Sequence, residues 1–172
     1  RTRLWGFPRY AVRQDEFTIA DSMEWWQDIR WGLELRMVAN LMFAMVLCGL
    51  LGLNRERANK PAGFRTHMLV GGAAAFLVNL AALLAERFQL VTEHADIEVD
   101  PTRVIQAIVI GIGFLGAGTI FKHAREDKVE GLTTAASLLL ASVIGIAVGM
   151  RLYVAATLAT LLALLVLTVV AG

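Results

Sequence analysis

The sequence predicts an all-α membrane protein, an integral bundle of five transmembrane helices preceded by an amphipathic helix at the membrane surface. Three observations predict it. Of 172 residues, 57% are hydrophobic and 18% charged, with a mean hydropathy of +0.61; soluble domains run at about 45–50% apolar and about 25% charged. Five stretches carry no charged residue: 37–54, 68–85, 104–121, 131–150 and 152–172, of 18, 18, 18, 20 and 21 residues. A bilayer core about 30 Å thick takes roughly 17–25 helical residues to cross. These runs also lack the two-residue alternation of a barrel strand, and only helices or closed barrels span lipid.

Residues 1–32 read as a tail and an interfacial helix, and residues 33–172 as the five-span domain. The N-terminal stretch has no apolar core of the length a cleavable signal needs and mixes acids with bases throughout. All four tryptophans, 5, 25, 26 and 31, precede the first run. Trp25, Trp26, Ile29 and Leu33 recur at helical spacing with Glu24, Gln27, Asp28 and Arg30 between them, and Asp21 with Glu24 forms a capping pair. Span one carries the lone cysteine, Cys48, which reads as a small buried hydrophobe. Span three contains "GIGFLGAG", with glycines at 111, 113, 116 and 118. Its opening matches the spacing of a dinucleotide loop, but an 18-residue span leaves no room for the sheet that loop requires. Gly111, Gly113, Gly116 and Gly118 are therefore read as helix-packing glycines, with Gly113 and Gly116 facing a neighbour; a broken helix lining a cavity is the other reading. Spans four and five meet at Arg151 and would be about 60 Å long as one helix, so "GMRLY" is expected to be a hairpin.

Lysine and arginine in the loops set the orientation. Arg55, Arg57, Lys60, Arg65, Lys122, Arg125 and Lys128 fall on one side; Arg87, Arg103 and Arg151 fall on the other. The first side is expected to be cytoplasmic, with the N-terminus outside and the C-terminus inside. The six arginines of the N-terminal segment pull the other way and are balanced by six acids. A net charge of +1 gives no basic footprint for nucleic acid, so the lipid bilayer is the expected surrounding.

Chemistry-bearing residues are sparse. Arg65, Thr66 and His67 stand together at the mouth of span two, where free N–H groups and cations suit an anion. Arg57 and Lys60 read as ordinary topology-setting bases. The outer loop holds Glu93, Asp96, Glu98 and Asp100 in no calcium-loop spacing, and Asp100, beside Pro101 and Arg103 at the lip of span three, is the one metal candidate worth following. Asn40, Asn79, Gln106, Thr119, Thr133, Thr134, Ser137 and Ser142 lie within spans, where amides and hydroxyls join helices. No lysine, aspartate or glutamate does, which argues against a pump. No catalytic arrangement and no cofactor motif is present, so no enzyme is expected.

Three stretches in register, "GLNRERANKPAGFRTHMLVG", "DPTRVIQAIVIGIGFLGAGTIF" and "VEGLTTAAS", resemble the signature stretches of the MgtC/SapB family of bacterial inner-membrane proteins, over about residues 41–153. The resemblance implies a five-span protein of the inner membrane, a role in magnesium homeostasis and growth in low magnesium, and in some relatives virulence. It implies action through another membrane protein, the F-type ATP synthase in some members, with direct magnesium transport doubted. The matching motif residues are Arg55, Glu56, Lys60, Pro61, Ala62, Gly63, Arg65, Thr66 and His67, then Asp100, Arg103, Gly113, Phe114, Leu115, Gly116 and Gly118. Gly131, Leu132, Thr133 and Thr134 complete them. Asn54 stands where the family often has an acid, Ile110 replaces a small polar residue and Leu139 a frequent tryptophan. The chain ends at Gly172, before the cytoplasmic domain of longer members.

If spans two and four are neighbours, Arg55, Arg65, Thr66, His67, Thr133 and Thr134 meet at two helix N-termini and form one polar pocket, to which the family motifs add Glu56, Lys60, Asp100 and Arg103. Two functional classes follow. One is a non-catalytic regulator that binds a membrane partner; the alternative is a cation transporter or channel with a polar path between spans two, three and four. A homo-oligomer is compatible with either.

Overall fold

The computed structural model describes residues 19–91, 100, 102–122 and 129–169, with side chains for 31–86, 100, 102–121 and 129–169. Five helices carry the chain: α1 Ile19–Arg57, α2 Phe64–Val91, α3 Thr102–Ala117, α4 Leu132–Gly149 and α5 Tyr153–Val169. A two-residue antiparallel pair, β1 Phe121–Lys122 with β2 Val129–Glu130, lies between α3 and α4 and pairs Phe121 with Glu130 and Lys122 with Val129. Contacts divide the chain into Arg1–Glu34 and Leu35–Gly172.

The first unit's described part is the opening of α1. This helix runs unbroken through both the expected surface helix and the expected first span, over 39 residues. The side chains of Trp25, Trp26, Asp21 and Glu24 lie outside the described residues, as does Trp5.

Within the second unit, α4 is the central helix. It packs on α2, α3 and α5, and Cys48 of α1 donates from Sγ to the Ala141 carbonyl at 3.3 Å. The interior is built from small and polar residues. Ala44, Cys48, Ala75 and Ala141 are fully buried, and so are His67 and Ser142. The outside is large and apolar: Phe114 is 81% exposed, Val154 74% and Ile110 65%. Water would reverse that distribution, whereas lipid tails accept it, because within a bilayer only unsatisfied polar groups must be hidden. Trp31–Arg57, Phe64–Glu86 and Leu132–Gly149 are long and apolar enough to cross a membrane. The apolar helices α3 and α5, of 16 and 17 residues, are shorter, at about 24–26 Å.

Helix ends follow from local chemistry. After α1, Asn59 takes a left-handed φ of 53°. Lys60 N–H then reaches the Arg55 carbonyl and Asn59 N–H the Glu56 carbonyl, at 3.1 and 3.0 Å. That is the Schellman closure, with asparagine in glycine's usual place. The expected hairpin at 150–152 closes the same way. Arg151 has φ 63°, Leu152 N–H bonds the Ala147 carbonyl and Arg151 N–H that of Val148. Span three was expected over 104–121, but the helix stops at Ala117. Thr119 and Ile120 close three-residue rings onto Gly116 and Ala117, tightening the last turn before the strand pair. Gly131, at φ 91° with no side chain to collide with Thr119, admits the chain to α4.

The glycine expectation for span three needs correction. A Cβ on Gly116 would lie 3.3 Å from Ala135 Cβ of α4, so Gly116 does face a helix. On Gly111 or Gly113 it would meet nothing within 4 Å, and on Gly118 only carbonyls of its own helix's last turn. The close approach is elsewhere. Gly145 of α4 rests on the Gly71 carbonyl of α2, and a Cβ on Gly149 would be 2.8 Å from the Ala75 oxygen and from Val78 Cβ. Gly71 and Ala75 are four apart, as are Gly145 and Gly149, so each pair lines one face of its helix. This is small-xxx-small packing.

At the other end of the bundle, amides bridge three helices. Asn40 Nδ2 donates to Asn79 Oδ1 at 3.2 Å, and the Tyr153 hydroxyl donates to Asn40 Oδ1 at 2.8 Å. Asn79 Nδ2 is satisfied by the Ala75 carbonyl. The hydroxyls of Ser142, Thr157, Thr160 and Thr168 bond back to their own helices, a local solution that needs no partner.

Candidate functional site

The polar site forms where the last turn of α1 meets the first turns of α2 and α4. Gly52 makes the first meeting close: a Cβ there would be 2.7 Å from Phe64 Cα and 2.8 Å from the Gly63 carbonyl. Glu56 then crosses to α2, its Oε2 accepting the Phe64 N–H at 2.9 Å. The carboxylate thus caps the positive end of α2.

Arg55 points the other way, inward. It is 4% exposed, and Nη2 donates to Thr134 Oγ1 at 3.2 Å, linking α1 to the third residue of α4. Its Nε is buried with no hydrogen-bond partner. Among the described residues no carboxylate pairs with this guanidinium.

His67 is wholly buried one turn into α2. Nδ1 lies 2.9 Å from the Gly63 carbonyl, which can only accept, so Nδ1 carries the hydrogen. Nε2 is 3.1 Å from Ser137 Oγ, and Ser137 Oγ is also 2.8 Å from the Thr134 carbonyl. A serine hydroxyl has one hydrogen. With neutral histidine it goes to Nε2, and the Thr134 carbonyl is left to its helix; with charged histidine Nε2–H donates to Oγ and the serine hydrogen turns to Thr134. Arg55, Thr134, Ser137 and His67 are therefore one chain of contacts across three helices.

The remaining expected residues fall outside this chain. Arg65 and Thr66 are exposed, and among the described residues their side chains make no hydrogen bond. Consecutive helical residues rotate by about 100°, so the burial of His67 turns Arg65 away. Lys60 and Thr133 are exposed as well. Asp100 and Arg103 sit at the start of α3, about 24 Å of helix from its end beside α4. The single-pocket expectation is corrected there, since they belong to the opposite end of the bundle. Asp100 Oδ1 accepts from the Thr102 hydroxyl at 2.6 Å and its N–H at 2.9 Å. Those bonds hold the carboxyl below its usual range and make Asp100 the cap of α3. Among the described residues no three His, Cys, Asp or Glu side chains converge as metal ligands.

The sequence placed Ser137 among the hydroxyls that join helices but not in the site, and gave Tyr153 no role. Ser137 sits three residues after Thr134, on the same helical face, which was the available signal. Tyr153 carried none, because its partner Asn40 is 113 positions away.

The profile of the MgtC family matches residues 41–172. The Escherichia coli K12 protein named "Putative magnesium transporter YhiD" is 35% identical over 133 residues, 77% of this chain and 59% of that protein. Protein MgtC of Brucella abortus is 39% identical over 122 residues, 71% of this chain and 46% of that protein. Protein SrpB of Synechococcus elongatus is 34% identical over 136 residues, covering 74% and 71%. The chain thus spans about half the length of the first two. No solved structure matches. On the family match and these identities, the chain belongs to the MgtC family.

Proposed function

We propose that this chain is a non-catalytic regulator of magnesium homeostasis that acts by binding another membrane protein. It would sit in the bacterial inner membrane with residues 54–67 and the C-terminus on the cytoplasmic side, as the loop bases suggest. The observation that carries the reading is Arg55. A buried guanidinium with no carboxylate beside it among the described residues makes the interior of this end of the bundle electropositive. Magnesium keeps its waters and is held by one or two carboxylates, so a conduction path past Arg55 would oppose its own cargo. The exposed face of the same end, with Arg57, Lys60, Arg65 and Thr66, suits a protein partner; the F-type ATP synthase is the first to test.

The alternative, a magnesium transporter, draws on the name of the Escherichia coli relative. Magnesium flux into proteoliposomes of purified chain separates the two. The regulator gives a flux equal to empty liposomes, while crosslinking from membranes captures a defined partner through positions 57 or 65. Protein-dependent magnesium flux would replace this reading with the transporter.

A further inference from the structure

We infer that the Arg55 end of the bundle binds a phosphate group, from a lipid headgroup or from free phosphate. The first observation is the orphaned donor. Nε of Arg55 has no partner and is enclosed, in a side chain 4% exposed. Nε and Nη2 share one edge of the guanidinium, and Nη2 already points at Thr134 in the first turn of α4. That edge is the one an oxyanion takes with two parallel N–H bonds.

The second observation is the helix end it faces. Gly131 precedes α4 and gives no side-chain cap. Among the described residues nothing accepts from the N–H groups of Leu132, Thr133 or Thr134. The end of a helix with free N–H groups carries about half a positive charge. Here it stands against a buried full positive charge. Two like-signed features are held together with no anion of the described chain between them, since Glu56 spends Oε2 on the Phe64 N–H of α2. A phosphate oxygen bridging the Nε–Nη2 edge and the Thr134 hydroxyl satisfies the orphan donor and the exposed helix end at once. The place suits a headgroup as well, because helices that cross a bilayer end at the level of its phosphates.

This inference goes beyond the regulatory reading and is tested on purified protein without reference to growth. The full chain in maltoside detergent is heated with a thiol-reactive dye that reports exposure of Cys48, the single and buried cysteine. Inorganic phosphate and, separately, phosphatidic acid in mixed micelles are titrated against chloride at matched ionic strength. At tenfold excess over half-saturation the bound phosphate raises the midpoint by roughly 3–5 °C. A rise with inorganic phosphate assigns the site to the free anion. A rise with phosphatidic acid alone assigns it to a headgroup. Arg55→Lys keeps the charge, loses the fork and abolishes the rise. Thr134→Val, which keeps shape, moves half-saturation up by about tenfold, and carries the test should Arg55→Lys not fold. No rise with either probe, or the same rise in both variants, overturns the proposal.

Discussion

Adding one methyl group to Gly145 tests the packing that holds the central pair of helices. In the native chain Gly145 rests on the Gly71 carbonyl, and a Cβ there would also lie 2.9 Å from Ala74 Cβ. Neither obstacle is the free end of a flexible side chain, so α2 and α4 must separate or bend. Overpacking of this kind costs about 1–3 kcal/mol, and a clash with backbone belongs in the upper half. Alanine returns about 0.8–1 kcal/mol through helix propensity, leaving a net loss of about 1–2 kcal/mol. At about 2–4 °C per kcal/mol for a chain of this size, Gly145→Ala lowers the melting midpoint by roughly 2–8 °C. Gly113→Ala is the control. A Cβ there meets nothing within 4 Å, so propensity alone operates and the midpoint rises by roughly 2–4 °C. Both are read by Cys48 exposure in one detergent. A Gly145→Ala protein that melts at or above the native chain would refute the small-residue contact between α2 and α4.

Glu56→Ala removes the acceptor of the Phe64 N–H and is expected to cost about 1 kcal/mol, with Glu56→Gln losing less because it still accepts; thermal midpoints at low salt check the order. Asn79→Leu leaves Asn40, 3% exposed, without its acceptor. Interhelical hydrogen bonds in membranes average about 0.6 kcal/mol with a maximum near 1.7, and burial places this one toward the upper value. A midpoint unchanged by Asn79→Leu would show that the amide bridge contributes nothing.

Runs of charge-free sequence carried the fold because lipid imposes a length on each helix. The hairpin at Arg151 was legible for the same reason. Of the span-three glycines Gly116 was read correctly, whereas a Cβ on Gly111 or Gly113 meets nothing within 4 Å. At about 100° per residue, Gly111 and Gly113 stand about 200° apart and cannot share a helix face. Gly71 with Ala75 and Gly145 with Gly149, four apart, can, and that pattern was present in "GGAAA" and "GIAVG". The site was half legible. His67 and Thr134 were expected in a pocket with Arg55, and the structure does bring these three to one place. Arg65, Thr66 and His67 were weighed together as three adjacent polar residues, while helical rotation buries His67 and leaves Arg65 and Thr66 exposed. Arg55 and Thr134 are 79 positions apart, and no local pattern states which arginine a distant helix will enclose. Asp100 was grouped by motif rather than by position along the helices, which is why it fell at the wrong end.

The proposed regulation requires the enclosed contacts of Arg55, Thr134, Ser137 and His67, whereas the exposed bases beside them need supply only their charge to a partner. Growth rescue in low magnesium, in a strain lacking its own family member, compares Arg55→Lys with Arg65→Lys at equal membrane protein level. Lysine keeps the charge at both positions but cannot reproduce the guanidinium fork. At Arg55 that fork supplies the bond to Thr134; at Arg65 the side chain is exposed. Arg65→Lys is expected to rescue growth fully and Arg55→Lys to fail. Full rescue by Arg55→Lys, or loss of rescue by Arg65→Lys alone, would contradict that expectation.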